Sequence, residues 1–386
     1  MVVCNSLALK IAGITRNTPN PSGGVIVKDA SGKPTGVLKD TAMDLVWKHR
    51  PPRTQAEIVE GLRAATKHAS ENGVTSVQDL PGDAALDVPG WDTLRKSGEL
   101  TVRVNYRPLL VNWEKALATR NSMKNDEWLR IGGVKAFMDG ALGAGTALMF
   151  APFSDDPGNS GVAMPEATGM EERITAADAA GLQVEVHAIG DKANAQILDI
   201  YRRVAQKNGP KDRRFRVEHA QHLRQEDIPR FAEQGVIPSM QPYHAVDDGR
   251  WADRRLGKER AKGTYAFRSL LDTKARLAFG SDWDVAPLSP ILGIAAAVTR
   301  ATIDGKQPGG WVPEQKIRPE EALRAYTVTA AYAAFEEKEK GSLEIGKLAD
   351  FVVLSNDVLA VRPEEIEKIQ VDTTVVGGRV VHSRTK

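Results

Sequence analysis

Seven short apolar runs recur along the middle of the chain, and their repetition limits the fold more than any other feature. They are VTSVQD (74–79), TVRVNYRPLL (101–110), IGGVKAF (131–137), LQVEVHA (182–188), RFRVEHA (214–220), GVIPSMQ (235–241) and ARLAFGSD (275–282). Helix-like segments lie among them at 113–124, 170–180, 190–208, 225–234 and 290–304. Strands alternating with helices of this length predict parallel β-structure with crossover helices. Seven such steps exceed what a doubly wound sheet needs and are one short of a TIM-type (β/α) barrel. The expectation is therefore an α/β barrel lacking its first strand.

The flanks of the repeat are different. Residues 1–53 are punctuated by turn formers, TPNPSGG (18–24) and DASGKPTG (29–36), with a short strand-like stretch at Val25–Lys28. They read as an arm or insertion without a core of its own. The repeat opens at Thr54, which can cap a helix with Glu57 as its capping-box partner; that helix ends at Gly73. The barrel domain is expected over 54–335 and closes on a helix, 318–335, with Pro319 in its first turn. Residues 336–386 carry short alternating runs and a Gly377-Gly378 hairpin signal, and read as strands of a small β-sandwich.

Composition removes several classes. The chain has 386 residues, enough for one large barrel and an appendage. Its 52 Lys+Arg against 50 Asp+Glu give a net charge of +2, so nothing draws it to nucleic acid or to an anionic membrane. The basic run Lys211–Arg216 reads as a solvated strand entry. A single cysteine, Cys4, forbids an intrachain disulfide and agrees with a reducing compartment. No apolar run is long enough to span a bilayer, and the start lacks the order of a signal peptide, so a soluble, cytoplasmic protein is expected.

In a barrel of parallel strands the active site lies at the C-terminal strand ends. The polar residues there are Asp79, Lys135, His187, His219, Gln241 with His244, and Asp282. A lone strand-end histidine is more often a core residue bonded to a carbonyl. His187 and His219 on neighbouring strands point into one mouth, which favours a zinc, iron or manganese site. Glu185 shares a face with His187 and reads as an inward supporting carboxylate. Glu218 should point the other way, into packing or a salt bridge. His222 lies beyond its strand, at the rim or the surface. Asp282 can ligate a metal and move a proton, or cap the helix that follows. Lys135 is either a buried lysine paired with Asp139 or Glu185, or a neutral amine able to add carbon dioxide. Trp251 and Trp283 flank the mouth as an apolar substrate wall or as packing. The glycine run DGALGAG (139–145) lacks the spacing of a nucleotide-binding loop, and neither G-x-S-x-G nor H-E-x-x-H occurs.

The segments VKAFMDGALGAGTALM, VEVHAIGDKAN, RVEHAQHLRQEDIPRF, GVIPSMQPYHAVDD and LAFGSDWDVAPLSP, in that order, closely resemble the YtcJ-like (amidohydrolase 3) branch of the amidohydrolase superfamily. That branch includes N-substituted formamide deformylase. The opening NSLALKIAGITRNTPNPSGGVIVKDASGKPTGVL and the closing GSLEIGKLADFVVLSNDVL and VVGGRVVH extend the resemblance over residues 3–382. It implies hydrolysis of non-peptide C–N bonds by metal-activated water. Lys135, His187, His219 and Asp282 match metal-binding positions for one or two divalent ions, most simply zinc, with Lys135 carboxylated in many members of the superfamily. Asp282 also matches the general acid/base. His244, Asp139, Gly140 and Trp283 fall where substrate would be met. One departure stands out: the family's His-x-His at the end of strand one is absent from this sequence. That predicts the loss of two ligands at the first metal position. The rival expectation is a catalytically impaired amidohydrolase, or an interaction protein that self-associates through exposed sheet edges.

Overall fold

The computed structural model describes residues 1–80 and 84–385, without the side chains of 84–86. Its centre is a run of parallel strands: β4 (Ser76–Asp79), β5 (Arg103–Tyr106), β6 (Leu129–Ile131), β7 (Gly133–Phe137), β8 (Gln183–Ala188), β9 (Arg216–His219), β10 (Ile237–Met240) and β11 (Ala278–Phe279). Before them come β1 (Val2–Val3), β2 (Gly24–Lys28) and β3 (Pro34–Asp40); after them β12 (Phe351–Leu354), β13 (Val371–Val376) and β14 (Arg379–Ser383). The central strands pair in sequence order, β4-β5-β6 and β7-β8-β9-β10-β11. Residues on either side of Gly132 form β6 and β7, so the eight segments amount to the seven strands expected. Gly132 and Gly133 are glycine for a steric reason. A Cβ on Gly132 would stand 2.0 Å from Asn105 Oδ1, and one on Gly133 2.5 Å from the Gln183 carbonyl.

Alternation divides the strands into two faces. Val134, Ala136, Val184, Val186 and Val217 point outward and join one apolar core with Ile197, Leu198, Tyr201 and Phe231 of the helices 191–208 and 228–234. The opposite face is polar. Glu185 lies 3.2 Å from Arg107 and 3.3 Å from Arg216, and Arg216 lies 2.5 Å from Glu218. Arg216 also bonds Gln78 of β4, a strand it does not neighbour, so these side chains meet across an interior. Glu185 is thus inward, as its parity predicted, but it is held by two arginines. Glu218 makes the expected salt bridge, yet it faces inward. Its neighbour His219 has φ 75, which breaks the alternation on which the outward reading rested.

Around this centre several expectations hold and others change. The helix Gln55–Glu71 begins with the Thr54/Glu57 capping box. The helix Ala84–Ser97 went unread because Pro89 and Gly90 interrupt its pattern. The 318–335 helix breaks at Thr327 into Pro319–Tyr326 and Val328–Ala333. Residues 1–53 do have a core: β1-β3-β2 form an antiparallel sheet over Ile14, Ile26, Leu38 and Ala42. The basic run is not a solvated entry. Arg213 pairs with Asp178, while Arg214 pairs with Glu337 and lies 3.7 Å over the Tyr332 ring. At the C-terminus β12, β13 and β14 form a small antiparallel sheet turning at Gly377-Gly378. Among the described residues, no helix is long and apolar enough to cross a membrane.

Candidate metal centre

The C-terminal ends of β8, β9 and β11 and the helix after β10 converge on one group of side chains. His219, His244 and Asp282 place one ligand atom each within 4.8 Å of one another. His219 and Asp282 were read from strand ends. His244 was read as a substrate contact, but the helix Pro242–Asp248 turns it toward Asp282, with Nε2 3.6 Å from Oδ2. His187 stands beside this group, its ring centroid 4.5 Å from that of His219.

Hydrogen bonds fix which nitrogen each imidazole offers. Gln241 Nε2 donates to the Ser239 carbonyl, which orients the amide. Gln241 Oε1 then accepts from His219 Nδ1 at 2.7 Å, leaving the His219 Nε2 lone pair free. Gln241 was noticed only as a polar strand end; a glutamine two residues after a serine carbonyl gave no sequence sign of this task. His187 Nε2 donates to the Gly140 carbonyl at 3.0 Å and lies 3.5 Å from Asp139 Oδ1, so its lone pair is at Nδ1. His244 Nε2 is buried and has no hydrogen-bond partner. An orphaned buried nitrogen is costly unless something occupies it.

The electrostatics favour the ligand form of the imidazoles. Burial lowers the His187 and His219 pKa values well below the usual imidazole range, with the Lys135 ammonium and neighbouring histidines adding to it. Burial also lowers His244, against the pull of Asp282. Neutral imidazoles are the metal-binding form. Burial raises Asp282, while His244 and Lys135 oppose the shift. Asp282 and His219 have φ 58 and φ 75, conformations uncommon outside glycine and concentrated at functional sites.

Lys135 is buried on β7 with its Nζ 4.9 Å from the Phe137 ring centroid. Among the described residues neither Asp139 nor Glu185 pairs with it. Glu185 is taken by arginines. Asp139 accepts from the backbone N–H groups of Leu148, Ile189 and Gly190, at 2.8, 3.0 and 2.8 Å. Burial pushes the Asp139 carboxyl up to about 7. Asp139 and Gly140 therefore sit behind His187, against its Nε2, and not on a surface open to substrate. Trp283 is 47% exposed and lies against His68, ring centroids 5.6 Å apart. Asp79 is not part of the group; it accepts from Trp91 Nε1 at 2.9 Å. His222 is buried, not superficial; its Nδ1 donates to Thr264 Oγ1 at 2.9 Å and its Nε2 accepts from Gln221 at 3.2 Å.

Two imidazoles and a carboxylate fit a divalent cation with a position left open, the donor set of a catalytic rather than a structural zinc site. The sequence profile of the amidohydrolase family matches residues 1–382. Protein LONG AFTER FAR-RED 3 of Arabidopsis thaliana is 41% identical over 99% of this chain and 67% of its own length. The putative amidohydrolase YtcJ of Bacillus subtilis is 36% identical over 100% of this chain and 72% of its own. N-substituted formamide deformylase of Arthrobacter pascens is 27% identical over 99% of this chain and 71% of its own. An uncharacterized metal-dependent hydrolase from Pyrococcus horikoshii superposes with a TM-score of 0.77 at 29% identity, covering 94% of this chain and 71% of that one.

Proposed function

This chain belongs to the amidohydrolase family, and from that premise we propose that it hydrolyses C–N bonds other than peptide bonds, in linear amides or N-formyl amines. The observation that carries the reading is the convergence of His219, His244 and Asp282 with the imidazoles neutral and one buried nitrogen unfilled. The deformylase relative supports the substrate class.

In this reading His219 Nε2, His244 Nε2 and Asp282 hold the ion, with His187 Nδ1 and Lys135 beside them. A divalent cation supplies Lewis acidity, which polarises a carbonyl and acidifies water. Zinc suits the donors best, with iron or manganese as alternatives. Asp282 takes the proton of the attacking water and returns it to the departing amine nitrogen. Gln241 keeps the His219 lone pair aimed into the group, and Trp283 offers an apolar wall to the substrate. Carbon dioxide adding to the neutral Lys135 amine, with loss of one proton, would give a carbamate, an anionic ligand in place of a buried amine. Intact-mass measurement reads it as one added carbon dioxide. A reducing, cytoplasmic setting is part of the same proposal, with the single cysteine as its support.

The test is turnover of a panel of N-formyl amines by the purified chain, followed by release of the amine. Hydrolysis that stops in chelator and returns with zinc is expected. A second reading, a non-catalytic interaction protein, draws on one feature: among the described residues, β4 and β11 each have an unpaired outer edge. Zinc-loaded chain that turns over none of the panel would favour it.

A further inference from the structure

The arm made by residues 1–53 reaches the metal group from behind. Lys39 Nζ donates to the Ala144 carbonyl, in the loop that follows β7. The next residue, Asp40, has φ 49 and ψ −129, a conformation that nothing but glycine adopts readily. Its Oδ1 lies 3.1 Å from the point a Cβ on Gly140 would occupy, and its Oδ2 is buried with no hydrogen-bond partner. Gly140 is the residue whose carbonyl accepts from His187 Nε2. The same loop is closed on itself, since Ala141 N donates to Thr146 Oγ1 at 3.0 Å. A side chain at Gly140 would meet Thr146 Oγ1 at 2.1 Å. Asp40 thus stands against the loop whose Gly140 carbonyl accepts from His187 Nε2, and its charge acts on Asp139.

We propose that Asp40, held by the Lys39 anchor, is a positioning residue for His187. The inference rests on the metal-site reading above. Asp139 lies 3.5 Å from His187 Nε2, and Asp40 stands against Gly140, whose carbonyl accepts from that nitrogen. Holding the Gly140 carbonyl in place keeps the His187 proton at Nε2 and leaves the lone pair at Nδ1. Lys39 keeps the 139–146 loop, and with it the Gly140 carbonyl, at a fixed distance from the ring. The strained backbone at Asp40 is the conformation in which a carboxylate can be delivered to that spot. The arm is in this sense a working part of the site.

Asp40→Asn removes the charge at nearly constant shape, Asp40→Gly removes the side chain and suits the backbone, and Lys39→Met removes the anchor separately. The first readout is the His187 tautomer in metal-free protein, from 15N shifts of the ring nitrogens. The Nε2–H form is expected in the parent chain and a mixture with the Nδ1–H form in the variants. The second is the affinity for zinc alone, by competition with a chromophoric chelator. It should fall about tenfold in Asp40→Asn, the low end for outer partners of a metal-binding histidine. Circular dichroism of the same samples should be unchanged. An unaltered tautomer in all three variants overturns the proposal. A parent chain that binds no zinc overturns the metal-site reading instead, and the tautomer still decides the role of Asp40.

Discussion

The two ends of the parallel strands use the same kinds of residue in opposite ways. At the N-terminal end buried charges are paired with one another. Arg103 meets Asp350 through two bonds of 2.6 and 2.8 Å, Lys340 meets Glu336 at 2.6 Å, and Arg130 meets Glu336 at 3.1 Å. These pairs tie the segment 336–350 beneath the strands. At the C-terminal end His219, His244 and Asp282 bring ligand atoms within 4.8 Å of one another, and the buried His244 Nε2 has no hydrogen-bond partner. Complete pairing gives a floor that only holds the fold. Incomplete pairing gives a group that gains by binding something else.

Mutation can break that contrast, and the largest effect belongs to the floor. Arg103→Ala leaves Asp350 buried and unpaired, and unfolding in urea should show a loss of about 3–5 kcal/mol. Zinc affinity of the folded protein should not change. At the mouth, Gln241→Leu frees His219 Nδ1 while keeping the volume apolar. Zinc affinity should drop about 10–100-fold, read by chelator competition, with little change in stability. If Gln241→Leu instead costs as much stability as Arg103→Ala, the mouth is only another structural network.

Acid sharpens the comparison through His222, which lies between the two regimes, buried but fully hydrogen-bonded. Burial holds its pKa at about 3, far below the 6.5 of an exposed imidazole. The unfolded chain therefore binds a proton that the folded chain refuses between those values. Stability from this residue is complete above pH 6.5 and is lost as pH falls toward 3, at about 1.4 kcal/mol per pH unit. His222→Gln should flatten the slope in that window, measured by denaturant midpoints across pH. The smallest effect is expected at Trp283, nearly half exposed. Trp283→Ala should change stability by under about 0.5 kcal/mol, and any loss should appear in KM for apolar substrates.

The strands were legible because a parallel strand buried by helices is an apolar run ending in a polar residue, and the seven runs correspond to β4–β11. His187, His219 and Asp282 stood out as polar residues at or just past the ends of such runs, and Lys135 as a lysine inside one. What the sequence did not disclose depends on backbone bends and on partners far along the chain. His244 joins the group because a helix starts at Pro242. Glu218 turns inward because alternation fails at His219. Asp139 lies behind His187 because three distant N–H groups claim its oxygens. Asp40 comes from a segment that reads as a string of turns, and its place beside Gly140 has no local signature.

Metal content of the purified chain, by mass spectrometry of the element, tests the central claim most directly. The account predicts about one zinc or more per chain, lost when His219 and His244 are both replaced by alanine while the fold persists. A folded parent chain that takes up no divalent metal, or a double variant that retains it fully, would contradict it.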